Sequence, residues 1–426
     1  MIIYEINKGD TIYGIAQKFG VPVEAILAAN EGINPNWLVS GQAIVIPGNF
    51  FQHTVQRGES MYTIARDYGI SLNTLIDANP QIRNPARIQI GQKIIIPKAP
   101  PKLGTINVNG YVYPGVKSDV LQKTLPHLTY ISIFSYMVSP DGSLNDINDT
   151  AIIQAARQAG VAPVMVITNM EEGAGFSSKV AHDILTNDQI QTTLINNIIA
   201  VMQQKDYYGL NVDFEYLYPE DRQNYNDFIS KVVNALRPLG YEVLVALAPK
   251  LSGDQRGLLY EAHDYEAIGA LVDHVILMTY EWGYLYGPAM AVAPENQVRK
   301  VLDYATTVIP SEKILMGMPN YGYDWTLPFV RGTSARLLTN NGAVALAVRV
   351  GADIQFDPVA QAPFFNYYDS SGKQHEVWFD DARSIYARLL LVSLYDLGGV
   401  SYWTVSNYYS PNWVVLESMY TVRKVL

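Results

Sequence analysis

The sequence predicts an α/β protein whose larger part is a (β/α)8 TIM barrel and whose N-terminal part is a pair of small βααβ modules. Three observations predict it. Residues 4–47 and 53–97 repeat one another. A proline-rich stretch, Pro97-Lys-Ala-Pro-Pro-Lys-Leu-Gly104, separates the repeat from the remainder. After it, short apolar runs alternate eight times with longer amphipathic stretches, the rhythm of a closed parallel barrel rather than an open sheet.

Composition sets the outer bounds. The 426 residues suffice for two to four domains of about 100–200 residues each. With 49% hydrophobic and only 16% charged residues, the chain can bury a large core and is not disordered. The absence of cysteine excludes disulfides, thiolate nucleophiles and Cys-ligated metals. A net charge of −10 disfavours nucleic acid and anionic membrane surfaces as partners. No apolar run reaches the ~18 residues of a membrane span. The N-terminus, Met1-Ile-Ile-Tyr-Glu-Ile, has neither the basic region nor the apolar stretch of a signal peptide, so none is expected.

In the repeat, Gly9 aligns with Gly58, Ile15-Ala16 with Ile64-Ala65, Asn30 with Asn79, and Gly41-Gln42 with Gly91-Gln92. Each copy reads as strand, helix, helix, strand. Asp10 or Thr11 is placed to cap a helix carrying Ile12, Ile15, Ala16 and Phe19 on one face, and Gly20 ends it. The Gly-Asp/Glu-Ser/Thr turn, the Ile-Ala helix, the helix ending in Asn and the closing Gly-Gln…Ile-Pro strand resemble LysM modules. That resemblance implies binding to N-acetylglucosamine polymers, with Gly9, Asp10, Thr11, Asn30 and Ile33 near sugar in the first copy. Gly58, Glu59, Ser60, Asn79 and Ile82 are their counterparts in the second. Residues 1–97 hold 7 Lys+Arg and 7 Asp+Glu, so the whole −10 belongs to the rest of the chain. The expected units are 1–48 and 51–98 for the modules, 99–104 for the linker and 105–426 for the barrel.

Strands are expected at 106–112, 129–136, 162–168, 209–215, 242–248, 273–280, 313–319 and 399–404, with helices at 184–204, 220–237, 294–308 and 382–396 between them. Residues 325–381 are too long for a connection and read as a small α+β insertion between the seventh and eighth strands, with a hairpin turn at Ser371-Gly372.

The chemistry concentrates in Tyr207-Tyr-Gly-Leu-Asn-Val-Asp-Phe-Glu-Tyr-Leu217. Leu210, Val212 and Phe214 alternate with Asn211, Asp213 and Glu215, which places the polar three on one face, inside the barrel, with Glu215 at the mouth. Buried acids in a row raise one another's pKa, so the outermost can stay protonated near neutrality and act as a general acid.

This strand resembles that of the family 18 glycoside hydrolases, Asp-Gly-x-Asp-x-Asp-x-Glu, with Tyr208 and Asn211 in place of the first two acids. Asn211 is expected to donate to Asp213. Met278, Tyr280 and Glu281 resemble the family's sixth strand, Asn320 and Tyr321 after Pro319 the seventh, and Trp403 the eighth, whose indole floors the sugar subsite. The third strand departs from the family, leaving Asn169 and Glu171 in that neighbourhood. Trp282, Trp325, Tyr111 and Tyr136 are further candidates for stacking on sugar. The resemblance implies catalysis by Glu215, Asp213 and Tyr280, assisted by the substrate's own acetamido group, with no metal and no cofactor. The six histidines show no metal-ligand spacing, and no phosphate-binding glycine loop is present.

Two LysM-like modules ahead of such a barrel resemble spore-germination hydrolases that act on cortex peptidoglycan. The expectation is therefore a monomeric N-acetylglucosaminidase of the spore coat or cortex. The alternatives are a chitinase with the same chemistry and a catalytically inactive glycan-binding protein.

Overall fold

Eight parallel strands close into a barrel in the computed structural model, which describes residues 1–426. They are β1 (Gly104–Val112), β2 (Tyr130–Met137), β3 (Ala162–Thr168), β4 (Gly209–Asp213), β5 (Glu242–Leu247), β6 (His274–Leu277), β7 (Ile314–Pro319) and β8 (Gly399–Trp403). Each pairs with its neighbour in sequence, and β8 closes on β1 with Gly399 opposite Asn107 and Ser401 opposite Asn109. The outward side chains, Leu210, Val212 and Phe214 among them, join the helices in a cluster of 70 buried residues. The apolar cluster inside the barrel has only 10. Stability therefore lies mainly in the outer layer, and the interior is free to carry polar groups.

β4 and β6 end at Asp213 and Leu277, short of the expected 215 and 280, so Glu215 and Tyr280 lie just beyond their strands. Two further boundaries differ from expectation. The helix expected at 184–204 is two helices, Ser178–Leu185 and Asp188–Lys205. The break has a local cause: the Asn187 side chain accepts hydrogen bonds from the Gln189 and Ile190 amides and starts a new helix. The insertion begins at Gly322 rather than 325. Its five-stranded antiparallel sheet runs, edge to edge, Arg336–Leu338, Gly322–Leu327, Gln374–Trp378, Ala362–Tyr368 and Gln355–Asp357. Gly322 turns directly out of β7 into this sheet. A Cβ there would meet the Trp378 carbonyl at 2.4 Å, so only glycine permits the approach.

Both modules have the expected βααβ form. In the first, strands Ile2–Glu5 and Ala43–Ile46 pair antiparallel around helices Ile12–Phe19 and Val23–Ala29. In the second, strands Phe51–Thr54 and Lys93–Ile96 do so around helices Met61–Asp67 and Leu72–Asp77. Their placements differ. The first module is bolted to the barrel. Arg383 donates to the Glu5 carboxylate at 2.7 Å and to the Gly41 carbonyl at 2.9 Å. The Ile354 amide donates to the Ser40 carbonyl at 2.9 Å, and Ser410 Oγ accepts from the Glu31 amide at 2.6 Å. Ala29 and Val45 of this module belong to the barrel's own core cluster. No hydrogen bond or ion pair joins residues 51–98 to the barrel. The second module leans instead on the first, through Phe50 and Ile95.

The equivalent glycines Gly41 and Gly91 isolate this difference. Both have left-handed backbone, φ 80° and 84°. A Cβ on Gly41 would lie 1.7 Å from the Ile354 carbonyl oxygen, while one on Gly91 meets nothing within 4 Å. Each alanine substitution carries a backbone penalty of about 1 kcal/mol. Only Gly41→Ala adds a clash. Denaturant unfolding should show the larger loss for Gly41→Ala, and limited proteolysis should find its first module freed. Equal losses in the two variants would mean that the docking is loose.

Candidate active site

The hydrogen-bond ladder of β4 stops at Asp213, so the next three residues must satisfy their backbone groups elsewhere. Side chains from neighbouring strands do this. The Asn169 carboxamide, after β3, accepts from the Glu215 amide at 2.9 Å and donates to the Glu215 carbonyl at 2.8 Å. His263 Nε2 donates to the Phe214 carbonyl at 2.9 Å. Its Nδ1 accepts from the Ala248 amide at 2.9 Å, which fixes the tautomer. Burial holds the imidazole neutral, with its pKa lowered to about 4. Ser178 Oγ donates to the carbonyl of Tyr216, whose φ of 54° turns the chain sharply away from the mouth. Glu215 is thus aimed by a clamp on its main chain.

The two carboxyl groups themselves have no protein hydrogen-bond partner, and Asp213 Oδ1 is buried and unpaired. Burial pushes the Asp213 pKa up to about 7. Burial and then the negative charges of Asp213 and Glu281 push Glu215 well above the usual carboxylate range. Glu281, with φ 67°, stands at the exposed rim of the same cleft. It accepts from Tyr323 OH at 3.0 Å and from Tyr321 OH, and the surrounding protein raises its pKa against those bonds. Burial also keeps the Tyr280 phenol protonated, as a donor.

These groups line a cleft of about 580 Å³ at the C-terminal ends of the strands. Asp213, Glu215, Met278, Tyr280, Glu281, Trp282 and Trp403 all face it. Trp403 is held by edge contacts from Phe134, Tyr111 and Tyr113, with ring centroids at 4.9, 5.2 and 5.9 Å. Neutral sugars bind to such a combination of flat rings and a few convergent polar groups.

Several candidates lie elsewhere. Asn211 is fully buried below the cleft and donates to Tyr111 OH at 2.6 Å rather than to Asp213, because the ring from β1 fills the barrel at that level. Asn169 spends its carboxamide on the clamp, leaving none for substrate, and Glu171 does not line the cleft. Asn320 donates to the Thr404 and Asn407 carbonyls, both at 2.9 Å, and faces a neighbouring pocket. Trp325 is 2% exposed in the core of the insertion. Tyr321 stands behind Glu281, and Tyr136 is buried with Asp149 and Lys205. Sequence reasoning missed Phe134 on β2, Met170 and Phe176 in the short hairpin after β3, and Tyr113, Tyr216, Tyr260 and Tyr284 in loops, all of which line the cleft. Loop residues have no periodicity to reveal them.

In the modules, Asn30 and Asn79 are closed to any ligand. Each carboxamide bridges its second helix to the closing strand, with Asn30 bonded to Ile26 and Val45 and Asn79 to Leu75 and Ile95. Thr11 and Ser60 cap helices. Asp10 accepts from the Asn7 amide and Tyr4 OH, and Glu59 mirrors it with the Gln56 amide and His53. Gly9 and Gly58 supply the turn at φ 90° and 87°, and Ile33 and Ile82 pack on the module cores. Tyr13 and Tyr62, 66% and 63% exposed, occupy equivalent positions beside these turns. The 49-residue offset of the repeat pairs them.

Fold, cleft and modules together define a carbohydrate-active hydrolase, and the chain belongs to glycosyl hydrolases family 18, which matches residues 110–407. LysM domains match residues 4–47 and 53–97. The sequence is 42% identical over 433 residues to the cortical fragment-lytic enzyme of Bacillus subtilis (strain 168), covering 100% of this chain and 99% of that one. The crystal structure of the Bacillus megaterium spore cortex-lytic enzyme SleL is similar with a TM-score of 0.91 and 38% identity, over 100% of this chain and 99% of that one. A chitinase from Chromobacterium violaceum is similar with a TM-score of 0.69 and 26% identity, over 74% of this chain and 98% of that one.

Two outcomes test the site. Asn169→Ala removes the clamp's contacts to Glu215 and should lower kcat roughly 100-fold, as a displaced reacting group does, with KM little changed. Glu281→Gln removes a negative charge that holds the Glu215 proton. The basic limb of the kcat/KM profile should therefore move to lower pH; a move to higher pH would reverse the assigned coupling.

Proposed function

We propose that this protein is a retaining N-acetylglucosaminidase that cuts peptidoglycan fragments of the spore cortex after N-acetylglucosamine, during germination. The observation that carries the reading is the buried, unpaired Asp213 carboxylate beside a protonated Glu215 on the floor of a sugar-sized cleft. An unpaired buried acceptor is costly, and an acetamido N–H from the substrate satisfies it. The full-length similarity to enzymes named for cortex lysis supports the choice of polymer.

In this reading Glu215 protonates the glycosidic oxygen as the C1–O bond breaks. The substrate's acetamido carbonyl oxygen bonds to C1 from the opposite face, giving an oxazolinium ion. Family 18 is an exception to the two-carboxylate scheme in this respect. Asp213 accepts the N–H of that ion, Tyr280 OH donates to its oxygen, and Trp403 stacks beneath the ring. The Glu215 carboxylate then takes a proton from water. The oxygen of that water attacks C1 and opens the oxazolinium with net retention. One enzymic acid suffices because the second nucleophile belongs to the substrate. Tyr13 and Tyr62, beside the turns at Gly9–Thr11 and Gly58–Ser60, are the glycan-contacting rings of the modules.

The test is mass analysis of products from cortex fragments and from N-acetylglucosamine oligomers. Reducing-end N-acetylglucosamine from the cortex fragments is expected. Release from the oligomers alone would make the protein a chitinase. Glu215→Gln should lower turnover by at least roughly 100-fold while retaining glycan binding. Unchanged turnover would exclude Glu215 as the acid.

A further inference from the structure

A second pocket, of about 360 Å³, adjoins the catalytic cleft. Tyr113 lines both and separates them. The pocket sits at the seam where the loops after β1 and β8 meet the insertion, and its chemistry is opposite to that of the cleft. The cleft carries Asp213, Glu215 and Glu281. The pocket has no carboxylate at all, although the chain holds 40 acidic residues. It presents carboxamides and hydroxyls, such as Asn341, Asn407 and Ser406, and a single charged group, Lys117. Lys117 is exposed and makes no ion pair or side-chain hydrogen bond, so its ammonium is available. The nearby Lys123 is already paired with Glu31 at 2.5 Å.

The docked first module fixes the rim of this pocket. Asn341 donates to the Glu31 carbonyl at 3.1 Å, and Gly32 abuts the Asn341 carboxamide. Lys123, held by Glu31, lies 5.3 Å from the centre of the Tyr408 ring, another pocket residue. The module thus positions two walls of a site next to the cut.

We infer that this pocket receives the anionic lactyl substituent, with its attached peptide, of the muramic acid next to the cleaved N-acetylglucosamine. The inference rests on the proposed function. In an alternating glycan, both neighbours of an N-acetylglucosamine carry a lactyl ether at O3, where chitin has only a hydroxyl. A cleft that accepts such a chain needs a polar recess one sugar away from the reacting centre, free of carboxylates. Carboxamide and hydroxyl groups suit the peptide amides, and Lys117 suits the carboxylate.

The test compares Lys117→Glu and Lys117→Ala with wild type on muramoyl-peptide-bearing cortex fragments and on N-acetylglucosamine oligomers. Lys300→Glu, on a helix outside this pocket, controls for net charge. On the muramoyl substrate, KM should rise about tenfold for Lys117→Glu and about threefold for Lys117→Ala. Values on the oligomers should stay unchanged, and Lys117→Arg should retain a KM near that of wild type. N-acetylmuramoyl-L-alanyl-D-isoglutamine should inhibit wild type and lose that effect in Lys117→Glu. Equal changes on both substrates, or none on either, would overturn the inference. If wild type itself ignores muramoyl fragments, the proposed function fails instead, and this shows before any variant is made.

Discussion

Two carboxyl groups, Asp213 and Glu215, are buried side by side with no cation paired to either, and the surrounding architecture answers to that constraint. A lysine or arginine in contact would ionise both, and the acid would lose its proton. Direct hydrogen bonds to the carboxylates would act in the same direction. Asn169, His263 and Ser178 therefore grip the main chain of Phe214–Tyr216 and leave the carboxyls alone. The apolar layer outside the barrel has to tolerate the desolvation of these acids, and the 70-residue cluster provides it.

Much of this was legible in the sequence, where local physics decides it. Period-two alternation put Asn211 and Asp213 inside and Leu210, Val212 and Phe214 outside, as found. The repeat exposed both modules. What was not legible depends on long-range geometry. Asn169 looked like a sugar ligand because nothing in its neighbours announces a partner 46 residues away. Asn320 and Trp325 sit in motifs or rings that fit a sugar site, yet the insertion sheet draws one into a seam and the other into its core. Tyr208, which stands where the family has an acid, donates to Glu242 at the N-terminal end of the barrel, too low to touch the chemistry.

The repeat also misled by its symmetry. Equal sequence suggested equal function, but several positions that differ between copies meet the barrel. Glu31 and Gly32, which contact Ser410, Lys123 and Asn341, correspond to Pro80 and Gln81 in the second copy. The first module has become part of the catalytic body. The second is joined to the barrel by no hydrogen bond or ion pair.

That asymmetry sets a load path. When the second module holds an insoluble polymer, a pull on it reaches the barrel by two routes: through the docked first module, and through the linker at Leu103, whose amide bonds to the Met419 carbonyl at 2.7 Å. There the terminal strand Tyr420–Val422 doubles the start of β1. This is the end of β1 remote from the mouth, nine residues or ~30 Å of strand away from it. Tension entering there is carried by a ladder of backbone bonds at the foot of the barrel, and the acids at its top feel little of it. Along that second route, an enzyme that cuts the material it hangs from is insulated from its own weight.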